Sequence, residues 1–287
     1  MPELPEVETV VRTLRPQVVG QAICSVWSSG LPLRMARKLD QVSLQKTCMG
    51  ATIRAVRRRG KYILIDLDSG RGVLIHLGMT GRLTVADERE ERAKHTHIVW
   101  ALPRKRELRF VDPRRFGWVE ATSNIDGLPQ ILALGPDPLD ELDAEKLSQL
   151  LTASQAPIKA FLLDQHRLAG LGNIYVCEAL FRARIHPRTS ACRARGKANV
   201  LFRAIRETLE IGIANCGTSF RDFVDATGAP GKNRQALLVY GREGKRCTAC
   251  GSRICRSVDA GRSTFYCAHC QKRQEAWAPV VVLPCRR

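Results

Sequence analysis

Four cysteines near the carboxyl end restrict the fold of this chain more than any other feature. They form two Cys-x2-Cys pairs, Cys247/Cys250 and Cys267/Cys270, and sixteen residues separate the pairs. Thiolates at positions i and i+3 of a tight turn converge on one metal, and sixteen residues allow a hairpin that brings the second pair across to the first. We therefore predict one tetrahedral zinc site with these four ligands. Because four thiolates leave no open position, the expected Zn²⁺ is structural and not catalytic.

The charge balance indicates the class of partner. Lys and Arg number 46 against 28 Asp and Glu, a formal net charge of +18. Such an excess favours a polyanion, most often nucleic acid, although a solvated basic surface is the alternative. The eleven cysteines are an odd number, and we find neither a leader pattern nor an apolar run near the ~20 residues that span a bilayer. We therefore expect a cytoplasmic protein without a disulfide framework or a membrane partner.

Hydrophobic periodicity divides the chain into two differently folded parts. Residues 5–19 have apolar positions at helical spacing, and Gly20 follows as a stop signal. Residues 21–135 contain alternating apolar runs joined by turn residues, as in "KYILIDLDSGRGVLIHLGM", and predict a β-sandwich or barrel-like domain. A Pro- and Asp-rich stretch at 134–143 is typical of a linker. Beyond it the apolar spacing becomes helical, with Gly217 as a plausible end of the longest helix.

Four short motifs offer candidate contacts, each with a structural alternative. In "VDPRRFGWVE", Phe116 beside two arginines suits insertion into a base stack, but a core position at a strand end is equally consistent. In "HLGMTGR", Met79 lies between two glycines, where a core methionine is the more ordinary interpretation. In "LAGLGNIY", Asn173 is expected to cap a helix whose free amides bind phosphate. The run "RRRGK" is most often a solvated face, although Lys61 could be directed into a site.

Six motifs occur together in one order along the chain. They are PELPEVET at 2–9, HLGMTG at 76–81, DPRRFG at 112–117, GLGNIY at 170–175, VYGREG at 239–244 and GRSTFYC at 261–267. Together they resemble the formamidopyrimidine-DNA glycosylase family, the bacterial 8-oxoguanine repair enzymes, over essentially the whole chain. The resemblance implies an α+β fold with an N-terminal helix plus β-sandwich domain, then a helix-two-turn-helix domain with a C-terminal zinc finger. The implied divisions are a catalytic domain at 1–135, the helix-two-turn-helix domain at 136–240, the finger at 241–275 and a tail at 276–287.

The resemblance also gives the first residues a chemical role. Removal of Met1 would free the secondary amine of Pro2, and an α-amino group with a pKa of about 7.7–8.0 is partly neutral, hence nucleophilic, near pH 7. The family's proline attacks the sugar C1′, displaces the damaged base and forms an iminium that permits strand cleavage by β,δ-elimination. Glu3 matches the proton donor that opens the sugar, Lys61 a second acid or base, and Arg262 the finger arginine of the second elimination. The implied enzyme is a glycosylase and AP lyase of base excision repair that acts on oxidised purines.

Further positions match the family's DNA contacts. Met79, Arg114 and Phe116 match residues that fill the gap left by an extruded nucleotide, which an enzyme acting on a base must take out of the stack. This match replaces the core interpretation of Met79. His95, Arg114 and Asn173 match the family's phosphate contacts. Lys159 matches a lysine that the family places after the linker, and it is a further implied DNA contact. The implied partner is double-stranded DNA containing oxidised bases, bound by a monomer at the bacterial nucleoid.

Two other functions remain open at this level. The endonuclease VIII type, which prefers oxidised pyrimidines, typically begins PEGPE after the initiating Met. This chain has PELPE at 2–6, which favours the purine enzyme. A DNA-binding zinc protein without catalysis would keep the scaffold, but binding alone needs none of Pro2, Glu3 and Lys61. The segment 231–235, GKNRQ, is basic and polar where the family usually has an aromatic residue, so base preference is most open to change there.

Overall fold

The chain begins with a buried helix that runs between two cores. The structure is a computed structural model that describes residues 2–33 and 40–273; the predicted tail at 276–287 lies outside this part. Helix α1 (Leu4–Val18) starts and ends one residue earlier than the sequence predicts. Its apolar face packs on strands of the first core, and the helix also contacts the long helix of the second core. Gly20 follows with a φ of +79°, as expected of a residue that ends a helix.

Two antiparallel sheets form the first domain, as the resemblance implies. The strands that the structure describes here are β1 (Ser25–Ser28), β2 (Ile53–Arg59), β3 (Tyr62–Leu67), β4 (Gly72–His76), β5 (Arg82–Asp87), β6 (Thr96–Leu102), β7 (Arg106–Val111) and β8 (Trp118–Thr122). One sheet has the order β1-β6-β7-β5 and the other β2-β3-β4-β8. Val73, Ile75 and Leu77 share one buried face, because alternate residues of a strand point to the same side. The result is a β-sandwich that α1 covers.

Two helices lie within the segment that the periodicity assigned to strands. They are α2 (Gln41–Cys48) and the short α3 (Pro129–Leu132). The expectation of strands alone over 21–135 is therefore wrong. Asp40 caps α2, since its carboxylate accepts a hydrogen bond from the N–H of Ser43 at 2.9 Å. An aspartate three positions before such a donor was the available sequence signal.

The second half is helical, as the periodicity predicts. Its helices are α4 (Ala144–Thr152), α5 (Ile158–Leu163), α6 (Asn173–Arg182), α7 (Ala191–Ala194) and α8 (Ala198–Ala214). Leu201, Ile205 and Leu209 of α8 face the second core. This helix ends at Ala214, before the predicted Gly217. None of the described helices is long and apolar enough to cross a membrane.

The predicted linker is packed against the arginine run instead of lying free. The side chain of Arg58 is 4% exposed and binds the carboxylates of Glu8 and Asp137. Arg59 also reaches the linker, where it pairs with Glu141 at 2.8 Å and donates to the C=O of Gly135. The expectation that this run is a solvated face is therefore wrong for Arg58. Burying an arginine requires acidic partners, and the acidic linker supplies one of them.

Two short strands complete the described fold. Strands β9 (Cys255–Asp259) and β10 (Arg262–Tyr266) pair as an antiparallel hairpin between the two cysteine pairs. The side chain of Gln271 anchors the hairpin's base, because it accepts from the N–H of Cys267 and donates to the C=O of Ile185. The hairpin is thereby fixed to the helical domain.

Candidate active site

The carboxylate of Glu3 lies against the N-terminus of helix α6. It accepts hydrogen bonds from the N–H groups of Ile174 at 2.9 Å and Tyr175 at 3.3 Å. Gly172 permits this approach, since a Cβ there would lie 2.2 Å from Cδ of Glu3. An N-terminus of a helix is a site for an anion, and here the anion is a side chain of the protein itself.

The expectation that Asn173 caps α6 is wrong. Gly172 occupies the N-cap position and Asn173 is the first helical residue. The amides expected to be free for phosphate, those of Ile174 and Tyr175, are engaged by Glu3. The side chain of Asn173 instead donates to the C=O of Ser263 on β10 at 2.8 Å.

Lys159 reaches the same end of β10. Its ammonium group donates to the C=O of Ser263 at 3.1 Å and to the hydroxyl of Thr264 at 2.6 Å, and its side chain is buried. Arg262 begins β10 and is exposed to solvent. The fold thus brings Lys159, Asn173 and Arg262 together, and two of the three N–H donors of Lys159 are used within the protein.

Glu6 is a buried residue of this site that sequence reasoning assigned only to the helix dipole. One carboxylate oxygen accepts from the main-chain N–H of Glu3 at 2.8 Å. The other accepts from the hydroxyl of Tyr175 and from the N–H of Thr218, both at 2.6 Å. The available signal was the spacing of Glu3 and Glu6, because an acid three positions into a helix often reaches back to the capping residue. Tyr175 and Thr218 carried no comparable signal.

Burial displaces the pKa values of three charged groups at this point. It raises the pKa of Glu3, which Lys61 and the two α6 amides oppose. Burial and the neighbouring Glu3 raise the pKa of Glu6 to about 7. Lys61 lies in the turn between β2 and β3, and burial lowers its pKa while Glu3 opposes the change. Ionisable groups whose pKa values are shifted by burial and by neighbouring charges are typical of catalytic sites.

A cavity of about 180 Å³ opens beside Pro2. Its walls come from the start of α1, the turn that carries Met79, the start of α6 and the segment 218–223. Lys61 lines a different cavity with His76 and His166, and Lys159 and Arg262 line a third. Pro2, Lys61 and Arg262 therefore line three different cavities, and the predicted catalytic residues do not share one pocket.

The predicted gap-filling residues lie on two adjoining loops. Met79 is 41% exposed, so the core interpretation of this residue is wrong. Phe116 is half-buried, and the guanidinium of Arg114 lies 4.6 Å from the centre of its ring. His95 lies next to them, since its C=O accepts from the N–H of Asp112 at 2.9 Å.

The four cysteines of the finger lie at distances that suit one zinc ion. Their sulfur atoms are all within 4.8 Å of one another, with Cys250 and Cys267 at 3.5 Å and Cys247 and Cys270 at 3.9 Å. Four thiolates at the usual zinc–sulfur length of about 2.3 Å lie roughly 3.8 Å apart in a tetrahedron. The predicted ligands are therefore brought together, and His269 and Cys255 are not among them.

Comparisons with known proteins agree with this arrangement. The family model of the formamidopyrimidine-DNA glycosylase N-terminal domain matches residues 1–119, and that of the H2TH domain of the same enzymes matches residues 134–224. The chain is 44% identical to the formamidopyrimidine-DNA glycosylase of Pelotomaculum thermopropionicum, over 95% of this chain and 99% of that protein. It is 43% identical to that of Marinobacter nauticus, over 95% and 100%.

Solved structures give the same result. A complex of the wild-type Lactococcus lactis Fpg with DNA containing N7-benzyl-Fapy-dG superposes with a TM-score of 0.86 at 36% identity, over 95% of this chain and 100% of that one. A complex of the same enzyme with abasic-site DNA also has a TM-score of 0.86. Because the two family models match both domains and the relatives match 95% of the chain at this identity, the chain belongs to the formamidopyrimidine-DNA glycosylase family.

Proposed function

We propose that this chain is a bifunctional DNA glycosylase and AP lyase that excises 8-oxoguanine and formamidopyrimidines and then nicks the strand by β,δ-elimination. Its family membership places it among the DNA glycosylases that remove damaged bases in base excision repair. The observation that carries the finer proposal is the burial of Glu3, Glu6 and Lys61, which interact with one another, with Glu3 next to Pro2 in the chain and Glu6 lining the same cavity as Pro2. Burying three ionisable groups costs folding free energy. DNA binding alone gives no reason to accept that cost, whereas proton transfer in catalysis does.

The proposed nucleophile is the amine of Pro2 after removal of Met1. A neutral amine attacks C1′ of the damaged nucleotide, so that a nitrogen–carbon bond forms and the bond to the base breaks. The base leaves with the electron pair of that bond, and the amine's proton passes to the base or to solvent. Opening of the sugar ring then gives an iminium and leaves a hydroxyl group, for which Glu3 supplies the proton. The raised pKa of Glu3 supports this role, because it makes the protonated acid more accessible.

The proposed elimination steps use two basic residues, Lys61 and Arg262. The iminium acidifies C2′, and loss of that proton releases the phosphate on the 3′ side. Lys61 suits proton transfer here, since burial lowers its pKa and makes the neutral amine more accessible. Arg262, exposed at the start of β10, is proposed to contact phosphate and assist the second elimination.

The proposed DNA interface has two parts. Met79, Arg114 and Phe116 fill the gap left by the extruded nucleotide, which agrees with the exposure of Met79 and the loop position of the other two. The residues proposed to contact phosphates are His95, Arg114, Lys159 and Asn173. The net charge of +18 and the damaged DNA in the Lactococcus lactis complexes support duplex DNA as the partner. We propose that the enzyme acts as a monomer at the nucleoid, with domain limits near 135, 240 and 275 and one structural Zn²⁺.

Oxidised pyrimidines are the second candidate substrate. One solved structure of the Lactococcus lactis enzyme, with a TM-score of 0.85, contains DNA with an oxidised pyrimidine. Both lesions would use the same amine chemistry, so only the identity of the excised base separates the two candidates.

Borohydride trapping tests nucleophile and substrate together. A duplex with 8-oxoguanine opposite cytosine should give a reduced covalent adduct that mass mapping places on Pro2, with Met1 absent. Pro2→Gly, which keeps an N-terminal amine after loss of Met1, should still trap, whereas Pro2→Leu, whose larger side chain retains Met1, should not. Trapping only on a duplex with an oxidised pyrimidine would change the proposed substrate to oxidised pyrimidines and leave the amine mechanism in place. Binding of both duplexes without any adduct would favour the DNA-binding protein without catalysis.

A further inference from the structure

We infer that Asp112 is a positioning residue that holds Met79, Arg114 and Phe116 together as one rigid wedge. The inference rests on the proposed function, because it assigns the wedge to the gap left by an extruded nucleotide. Asp112 follows strand β7, and its side chain is fully buried at 0% exposure. It does not line the cavity beside Pro2, so its contribution is made through the two loops that it joins.

The carboxylate of Asp112 connects the turn that carries Met79 to the loop that carries Phe116. One oxygen accepts from the hydroxyl of Thr80 at 2.6 Å, and the other accepts from the N–H of Gly117 at 2.7 Å. The N–H of Arg114 lies 3.3 Å from both Asp112 Oδ1 and Thr80 Oγ1. Thr80 therefore donates to Asp112 and accepts from Arg114, which ties the two loops through one hydroxyl group.

The main chain of Asp112 is fixed on a third side. Its N–H donates to the C=O of His95, and its C=O lies 3.1 Å from Nε2 of His97. The other ring nitrogen of His97 lies 3.0 Å from the hydroxyl of Ser29. These contacts belong to strand β6 and its neighbour, so the carboxylate is held by the rigid sheet and not by the loops it joins.

The two loops are also in direct contact. Gly78 has a φ of +62°, and a Cβ there would lie 2.5 Å from the carbonyl carbon of Phe116. Any larger residue would push the loops apart. The glycine brings the loops together, and the Asp112 carboxylate sets their relative orientation through directed hydrogen bonds.

A wedge of this kind benefits from rigidity. Met79 and Arg114 are exposed and Phe116 is half-buried, so the core supports these three side chains only in part. A flexible wedge would lose conformational entropy on entering the base stack, and fixing it beforehand removes that penalty. Thr80 also lines the cavity beside Pro2, so the same residue links the wedge to the wall of that cavity.

The test compares DNA that has a gap to fill with DNA that has none. We would measure borohydride trapping on an abasic site in a duplex and in a single strand, together with the fluorescence of 2-aminopurine opposite a tetrahydrofuran analogue in duplex DNA. Thr80→Val and Asp112→Asn should lower the duplex trapping rate about ten- to hundredfold, the effect of losing a hydrogen bond to a charged group. Both variants should also reduce the change in 2-aminopurine fluorescence that saturating wild-type protein produces. On the single strand both variants should trap as the wild type does.

Two control variants separate positioning from general damage. Thr80→Ser keeps the hydroxyl and should restore duplex activity. Thr152→Val removes an exposed hydroxyl bonded to the C=O of Ser148 in α4 and should behave as wild type. Equal duplex rates for Thr80→Val and Thr80→Ser would overturn the inference, as would an equal loss on both substrates. Wild-type protein that traps neither substrate would instead contradict the proposed function.

Discussion

Glu3 accepts a hydrogen bond from the main-chain N–H of Ile174 at 2.9 Å, across 171 positions of the chain. The proposed proton donor is therefore held by the helical domain, although it belongs to the first turn of the chain. Opposing effects act on its pKa, since burial favours the acid whereas Lys61 and the start of α6 favour the carboxylate. Burial is the largest of these effects, so the pKa of Glu3 is raised and its side chain is suited to donating a proton.

Replacing Glu3 by Gln should remove excision with little loss of structure. The amide oxygen can still accept from one α6 amide, but the side chain has no proton to transfer. We expect single-turnover excision to fall about 10²- to 10⁴-fold, the usual contribution of general acid–base catalysis. The free energy of unfolding should fall by about 1 kcal/mol, since one hydrogen bond is weakened. Excision within tenfold of wild type would exclude Glu3 as the proton donor.

Glu6 should make the stability of the protein depend on pH. Its pKa rises from an ordinary 4.5 to about 7 on folding, so the folded state retains a proton that the unfolded state releases. The stabilisation is fully present below about 4.5 and is lost as the pH rises through about 7. Urea unfolding between pH 5 and about 7 should therefore show wild type losing up to about 1.4 kcal/mol per pH unit relative to Glu6→Gln. A constant difference between the two proteins would contradict the raised pKa.

Loss of one proposed zinc ligand should weaken DNA binding. Cys250→Ser should abolish the single equivalent of zinc measured by mass spectrometry, and the β9–β10 hairpin should lose its fixed position. DNA affinity should fall at least about tenfold, because structural zinc supplies much of the folding energy of such fingers. Cys24→Ser, which changes an exposed thiol far from the cluster in sequence, is the control and should keep both zinc and affinity. Unchanged zinc content in Cys250→Ser would show that the four sulfurs do not form the site.

Two neighbouring arginines should differ strongly in their contribution to stability. Arg58→Met removes the partner of buried Asp137 and should lower the free energy of unfolding by about 3–5 kcal/mol. Arg57→Met removes a pair with Asp66 from a side chain that is 42% exposed and should lower it by about 1 kcal/mol or less. Urea unfolding at one pH measures both. Similar values would mean that the Arg58 contact with the linker is not strongly buried in solution.

Local patterns in the sequence were sufficient for features that depend on neighbouring residues. The spacing of Cys247, Cys250, Cys267 and Cys270 identified the cluster, since ligands three apart must converge whatever the rest of the fold. Helix α8 follows the same logic, because an apolar stripe at helical spacing has to be buried. Helix α2 was missed because a single capping aspartate is a weak signal beside a long run of strands.

Contacts between distant segments could not be predicted from such patterns. Asn173 is a residue type that often caps helices, yet Gly172 is the N-cap of α6. A side chain at position 172 would collide with the carboxylate of Glu3. Arg58 lies in a run that usually faces solvent, and only the folded linker supplies its partner. The roles of Pro2, Glu3 and Lys61 came from the family resemblance and stay predictions until the trapping experiment is done.

The hydrogen bonds of Glu3 and Glu6 to residues 174, 175 and 218 have a consequence for biosynthesis. A ribosome makes the first domain well before these partners exist, and domains fold as they emerge. Until residues 174, 175 and 218 have left the exit tunnel, Glu3 and Glu6 lack the groups that hold them. We therefore expect an unfinished or truncated chain to be inactive. The proposed amine nucleophile would thereby stay inactive until the helical half of the protein has been made.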